Sequence, residues 1–444
     1  MDNKKILIVG LGKSGIAMLK VFSELGNIVD VYDGKDEEKI VDIGLIEKLA
    51  DKTFFNHIPE EFDYDLIAVS PGVPLDIEII NKAKEKGIKI LGEIELAYLL
   101  SNGDFIGITG TNGKTTTTSL VYEIFKTYFE NVELVGNIGI PAIEKVVQSD
   151  KSKYFIAELS SFQLETIEKF KVEIGAILNI TPDHLNRHKT MENYIQTKLR
   201  IFENIDKNGF MVLNYDDEIL KSYGDKYQKA FFFSRKTVLE KGCYIKNGNI
   251  FVTKEQNEID VMKVSDIYIP GSHNVENVLA AVSIAFLADI PAEIIRDVIK
   301  NFRGVEHRLE IFEEKFGRVF INDSKATNPD ATMKAIESMC RPTVLIAGGM
   351  DKGSDFTEMI QKFGENIKYM VLYGETKNII ADIAVENGFE SMTIVNNLNE
   401  AVKISMEVSN EGYNILLSPA CASWDMYPDF EVRGRHFKEI VEKL

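Results

Sequence analysis

Short apolar runs rich in branched residues alternate along this chain with longer stretches of helical spacing, a rhythm that few folds accommodate. It is the pattern of parallel sheets assembled from strand–helix–strand units. The runs fall at residues 5–9, 29–32, 66–70, 105–109, 154–159, 174–180, 319–322, 343–347, 369–373 and 415–418. One departure is Asn247-Gly248, which separates two β-prone runs and predicts a two-residue hairpin turn. At about 100–200 residues per domain, 444 residues imply two to four domains. Ser101-Asn-Gly-Asp104 precedes a fresh strand and Asn301-Phe-Arg-Gly304 follows a helix, so three domains are expected at 1–100, 101–302 and 303–444. In open α/β sheets ligands collect beyond the carboxyl ends of the strands, which is where the chemistry is to be sought.

Composition narrows the partners. With 51 basic against 69 acidic side chains the net charge is −18, a poor footprint for nucleic acid or an anionic membrane surface. Cys243, Cys340 and Cys421 are odd in number and scattered, which fits neither a disulfide framework nor a zinc site and predicts a reducing, cytoplasmic setting. The longest apolar stretch, 278–288, is about half a membrane span and predicts a buried helix. The apolar run after Met1 is too short for a signal peptide.

Gly10-Leu-Gly12-Lys13-Ser14-Gly15 follows a strand and precedes a helix, and Asp33 ends the next strand. This spacing lets a backbone approach a diphosphate while the acid meets a ribose. Taken alone, it admits a nicotinamide dinucleotide, another nucleotide diphosphate, or plain tight packing. Ser70-Pro-Gly72-Val-Pro74 ends a third strand on the same edge, as a substrate loop or an ordinary turn.

The central region is more specific. Thr109-Gly110-Thr111-Asn112-Gly113-Lys114-Thr115-Thr116 joins a strand to a helix. Its backbone amides can cradle phosphates, Lys114 can neutralise their oxygens, and the Thr115 hydroxyl can ligate Mg²⁺. Ile108 stands where the usual phosphate-loop spacing requires glycine, so this is a variant loop. Glu158 lies in an otherwise apolar strand, where a carboxylate calls for a cation or an arginine partner. Asp183-His184 and His188 fall in a strand-end loop, as ligands or as solvated side chains. By composition Lys198 is an ordinary surface lysine. Asn274 and Asn277, three apart at the start of the apolar helix, can cap it or read an adenine edge. In the last region Asp323-Ser-Lys325-Ala-Thr327-Asn328, Gly348-Gly-Met-Asp-Lys352-Gly353 and Ser418-Pro-Ala-Cys-Ala-Ser423 follow three strands. In a parallel sheet these three loops would converge on one edge with their lysines and hydroxyls. Trp424, a lone tryptophan near a strand end, reads as core packing.

These motifs resemble the bacterial Mur ligase family: the Thr109–Thr115 loop, the Glu158 strand with Leu-Ser-Ser-Phe-Gln163, Asp183-His184, Gly271-Ser-His-Asn274, Asp323–Asn328 and Leu417–Ser423. The resemblance spans the whole chain. It implies an α/β fold with a Rossmann-like N-terminal domain for a UDP substrate, a central P-loop ATPase-like mixed-sheet domain for ATP, and a Rossmann-like C-terminal domain for the amino acid. The implied activity is ATP-dependent addition of D-glutamate to the alanyl carboxylate of UDP-N-acetylmuramoyl-L-alanine through an acyl phosphate, in peptidoglycan synthesis, by a monomer.

The resemblance also implies roles. Gly12, Lys13, Ser14, Asp33, Lys35, Gly72, Asn137 and His184 would meet the UDP substrate, although family members commonly carry arginine at the position of Lys35. Gly110 to Thr116, Asn274, Asn277, Arg308 and Asp323 would meet ATP. Thr115 and Glu158 would hold one Mg²⁺, and His184 with a carbamylated Lys198 a second. Lys325, Thr327, Lys352, Ser423 and Phe430 would meet D-glutamate. Three other functions stay open at this point: a related amide ligase with a different acceptor, a nicotinamide oxidoreductase, and a non-catalytic nucleotide-binding regulator.

Overall fold

The structure is a computed structural model that describes residues 3–147, 149–254, 257–351 and 353–444. The chain forms two compact units, Met1–Ile267 with Ser272–Asn301, and Tyr268–Gly271 with Phe302–Leu444.

The first unit carries two sheets. In the N-terminal one, the strands run in the order Lys52–Phe55, Ile28–Asp33, Lys5–Val9, Leu66–Val69, Lys89–Gly92, all parallel. The order reverses beside Lys5–Val9, which places the Gly10–Gly15 loop at the switch point where such sheets bind ligands. The second sheet has nine strands. Val132–Gly136, Tyr154–Glu158, Asp104–Thr109, Ile174–Ile177, Phe210–Asn214, Ala230–Ser234 and Gly242–Lys246 lie parallel, and Asn249–Lys254 and Asn257–Lys263 close one side antiparallel. The predicted hairpin is present, with Asn247 at φ +51° and Gly248 at φ +79°, the paired left-handed residues of a tight turn. The expected apolar helix is Ser272–Leu287, whose run from Asn277 to Ala285 is buried throughout.

The two sheets share one continuous apolar core, to which Met18, Leu96, Ile143, Leu164 and Phe170 belong. Polar bonds lock the same seam. Both oxygens of Glu95, on the helix Glu93–Leu100, accept backbone N–H groups of Glu168, Lys169 and Phe170 at 2.8–3.0 Å. Arg187 donates to the Val73 carbonyl at 2.9 Å while paired with Glu165 at 2.6 Å.

The second unit is built on one sheet, ordered Glu310–Lys315, Arg318–Asn322, Asn414–Leu417, Thr343–Ala347, Ile367–Leu372, Met392–Ile394. It is parallel except for the first pair, an antiparallel hairpin. One expectation fails here: Trp424 is 62% exposed, on a strand-end loop instead of in the core. Among the described residues no helix is long and apolar enough to cross a membrane.

Candidate active site

The central glycine loop turns from the strand Asp104–Thr109 into the helix Lys114–Tyr128. Gly110 (φ +153°) and Gly113 (φ +82°) take conformations that a side chain would strain. A Cβ on Gly113 would overlap the carboxamide of Asn277, so glycine is also needed for close packing. The sequence-predicted pair Asn274 and Asn277 is thereby brought against the phosphate loop, the two amides joined at 3.0 Å. Lys114 Nζ donates to the Gly110 and Thr111 carbonyls, both at 2.9 Å, and Thr115 and Thr116 are buried at the helix start.

Glu158 ends the neighbouring strand, 2% exposed. Its Oε1 accepts from Asn137 Nδ2 at 2.7 Å, while its Oε2 is buried with no partner. Among the described residues no arginine pairs with it, so the ion-pair alternative is not what the structure shows. An orphaned buried carboxylate oxygen costs about 1–3 kcal/mol and fits a divalent cation; the Thr115 hydroxyl is an oxygen of the kind such an ion also takes. Asn137 is fixed in turn, because its own N–H donates to the Glu158 carbonyl at 2.9 Å.

Lys198 is the largest departure from composition: it is 2% exposed. Its Nζ donates to the Gly110 carbonyl at 2.9 Å and lies 4.7 Å from the Tyr194 ring centroid. Burial, with the Lys114 ammonium nearby, pushes it down to about 7. Tyr194 also ties its helix to the loop through Thr111, 3.1 Å away, and Thr111 Oγ1 reaches the Thr181 carbonyl at 3.0 Å. The strand-end loop that carries His184 is thus pinned to the phosphate loop. The two histidines part company there. His184 is exposed, at φ +51° with its ring 4.9 Å from that of Phe162. His188 is buried, 3.0 Å from Ser161 Oγ, and burial lowers its pKa.

In the first domain, Asp33 is committed to the fold: its carboxylate accepts from Leu11 N at 2.8 Å and from Lys35 N at 3.0 Å. Gly12 caps the helix Lys13–Glu24, leaving Lys13 and Ser14 in its first turn, and nothing stands within 4 Å of a Cβ built on Gly12. Gly72 lies on the loop that Arg187 grips.

In the second unit the three predicted loops converge on the carboxyl edge. Gly348 N donates to the Pro419 carbonyl at 2.8 Å and Met350 N to the Ala422 carbonyl at 2.9 Å. Ser418 Oγ donates to Asp323 at 2.7 Å, Asp323 also accepts from Leu309 N at 3.1 Å, and its burial raises the carboxyl to about 7. Arg308 stands between His307 (φ +65°) and Leu309 (φ +44°), two left-handed residues that fix its turn. Lys325 Nζ is 5.8 Å from the Phe430 ring centroid, Ser423 is buried and Thr327 half-buried. Lys352 lies outside the described residues.

Two groups escaped the sequence. Arg433, fully buried, donates to Ser324 Oγ at 2.9 Å and to the carbonyls of Ser324 at 2.8 Å and Cys421 at 3.1 Å, bracing two of the loops. Glu93 and Glu95 sit buried in the first-domain helix. The signal for them was the same as for Glu158, carboxylates inside an apolar segment, Gly92-Glu-Ile-Glu-Leu-Ala97.

A strand, glycine loop and helix with Lys114 and Thr115 at the turn, beside a half-satisfied buried carboxylate, define a nucleotide-phosphate and divalent-cation site of the P-loop class. Family models agree in three successive segments: the Mur ligase MurD-like N-terminal domain over residues 4–92, the Mur ligase middle domain over 108–285, and the Mur ligase glutamate ligase domain over 307–421. The chain belongs to the Mur ligase family, ATP- and Mg²⁺-dependent enzymes that form amide bonds. It is 49% identical over 449 residues to the UDP-N-acetylmuramoylalanine--D-glutamate ligase of Clostridioides difficile, covering 100% of this chain and 99% of that protein. The protein of the same name from Alkaliphilus oremlandii is 47% identical over 450 residues, with the same coverage. Among solved structures, the UDP-N-acetylmuramate-alanine ligase of Thermotoga maritima shares the fold at a TM-score of 0.61 and 20% identity, covering 99% of this chain and 100% of that one. Membership in this family sets aside the nicotinamide alternative for the Gly10–Gly15 fingerprint.

Proposed function

We propose that the protein adds D-glutamate to the L-alanyl carboxylate of UDP-N-acetylmuramoyl-L-alanine, consuming ATP, in the cytoplasm. The observation that carries this reading is the whole-chain match to relatives whose name states that reaction. A carboxylate is a poor electrophile, so the alanyl group first takes the γ-phosphoryl of ATP, giving an acyl phosphate and ADP. The amine of D-glutamate then attacks, and phosphate leaves. The phosphoryl step is governed by positioning and charge neutralisation.

Gly110 to Thr116 cradle the phosphates, with Lys114 turning from its loop carbonyls to their oxygens. Asn274, Asn277, Arg308 and Asp323 complete the ATP contacts. Thr115 with Glu158, and His184 with Lys198, hold Mg²⁺, which when bound neutralises the phosphate charge. Lys198 serves this role as a carbamate, an anionic oxygen ligand where a bare ammonium would repel the cation. Only a neutral amine takes up CO₂, forming the N–C bond and releasing a proton, and a lysine held near 7 supplies that amine. Gly12, Lys13, Ser14, Asp33, Lys35, Gly72 and Asn137 receive the UDP substrate, with Asp33 acting by holding the loop amides. Lys325, Thr327, Lys352, Ser423 and Phe430 receive D-glutamate. His184 or a phosphate oxygen takes the amine proton.

The test is phosphate release from ATP by purified protein with Mg²⁺, UDP-N-acetylmuramoyl-L-alanine and each candidate amino acid. Release that depends on D-glutamate and is lost in Lys114→Ala is expected. Release with L-lysine or diaminopimelate instead moves the protein to another branch of the family. No release with any amino acid, although ATP and the UDP substrate bind, makes it a non-catalytic regulator.

A further inference from the structure

Glu93 is the first residue of the first-domain helix Glu93–Leu100, yet its carboxylate is spent on the central domain. It is 1% exposed, and its Oε1 accepts from Ile143 N at 2.8 Å. Ile143 lies in the helix Ala142–Val146, which directly follows the Gly136-Asn137-Ile-Gly139 loop. That loop is closed on itself, with Gly136 N donating to the Ile140 carbonyl at 3.2 Å, and it delivers Asn137 to Glu158. The Gln163 side chain lies close enough to favour the charged form of Glu93, though no direct hydrogen bond joins them. Gln163 is the far half of a capping box with Ser160, two residues beyond Glu158. One first-domain carboxylate therefore anchors the segment that follows the Asn137 loop and faces the turn on the other side of Glu158.

We propose that Glu93 is a positioning residue for the ligase reaction, a strut from the first domain that fixes the Asn137 loop and backs the Ser160–Gln163 turn so that the Glu158 carboxylate is aimed at its cation. This rests on the reading of Glu158 as an Mg²⁺ ligand. Supporting groups around a metal ligand set its orientation and affinity, and their loss costs about 10–100-fold in metal binding. The neutral form serves as well as the charged one, because the anchoring bond needs only an oxygen acceptor at Oε1. Burial indeed raises this carboxyl to about 7, and its Oε2 has no hydrogen-bond partner. A glutamine should accordingly substitute where an alanine does not.

The experiment measures, on the full chain, the Mg²⁺ concentration for half-maximal phosphate release, KM and kcat, and hydrogen exchange of segments 136–147 and 158–164. In Glu93→Ala the Mg²⁺ requirement is expected to rise about tenfold, with lower kcat, little change in KM for the UDP substrate, and faster exchange in both segments. Glu93→Gln is expected to restore all four readouts to near the parent. A folded Glu93→Ala with parental Mg²⁺ response overturns the proposal, and so does a Glu93→Gln as impaired as Glu93→Ala. Should Glu93→Ala not fold, Glu93→Asp decides, since its shortened reach must raise the Mg²⁺ requirement and a parental response overturns the strut. Glu158→Ala runs alongside: if it leaves the Mg²⁺ response unchanged, the metal-ligand reading fails, while the exchange data still report whether Glu93 anchors the two segments.

Discussion

Two glycine loops in the first unit occupy equivalent places, each between a sheet strand and the helix that follows. In the N-terminal loop the Gly10 carbonyl and the neighbouring Asp33 carboxylate are already engaged by the fold. Ser70 Oγ donates to the Gly10 carbonyl at 2.6 Å, and Asp33 accepts two backbone amides. In the central loop the surroundings are left with chemistry to spare: a buried carboxylate oxygen without a partner, a buried lysine held near 7, and a lysine that can exchange carbonyls for phosphates. Glycine spacing states how closely a backbone can approach a ligand. What the ligand is made to do is stated by the polar groups that folding leaves unsatisfied.

The largest test of this contrast exchanges the lysines. Lys114→Ala should lower D-glutamate-dependent phosphate release by about 10²–10³-fold with an unchanged melting temperature. Lys13→Ala, in the matching turn of the first loop, should only raise KM for the UDP substrate. Equal losses of kcat in the two variants would erase the distinction. Lys198 gives the next effect. As pH rises through about 7 the ammonium becomes an amine, so with bicarbonate present activity and a ¹³C carbamate resonance should both grow over that window. Both should be absent in Lys198→Ala; a resonance that ignores pH would contradict the assignment.

Two glycines of the first loop separate packing from ligand approach. A Cβ on Gly15 would overlap the Gly10 carbonyl, so Gly15→Ala should destabilise the chain by about 1–3 kcal/mol in denaturant melts. Gly12→Ala meets open space and should leave stability intact while weakening UDP-substrate binding in calorimetry. The smallest effect is expected for Asp33→Asn, which gives up one backbone acceptor of two and should cost about 1 kcal/mol of stability. A loss of binding with no loss of stability would show instead that Asp33 faces the ligand.

Many central strands were legible because their neighbours cover both faces, which forces near-continuous apolar runs such as Leu66–Val69 and Thr343–Ala347, but the interior strands Phe210–Asn214 and Ala230–Ser234 were missed. Edge strands were not legible. Glu310–Lys315 reads Glu-Ile-Phe-Glu-Glu-Lys and Asn257–Lys263 is as polar, because an edge that meets water needs no apolar pattern. The site divides the same way. Lys114, Thr115 and the loop glycines are local and stood in plain view, and Glu158 betrayed itself as a charge in an apolar strand. Lys198 and Arg433 carry no local mark, since what buries them comes from segments distant in sequence.

The three bonds from Glu95 to residues 168–170, and the one from Glu93 to Ile143, bear on how this chain can be dissected. Sequence similarity suggests a natural cut after residue 92. A cut there would sever the sheet from the helix that fastens it, and would expose apolar surface on both fragments. These bonds survive only in a piece that keeps the helix Glu93–Leu100 together with residues 143 and 168–170, so a fragment meant to test UDP-substrate binding should carry both sheets of the first unit.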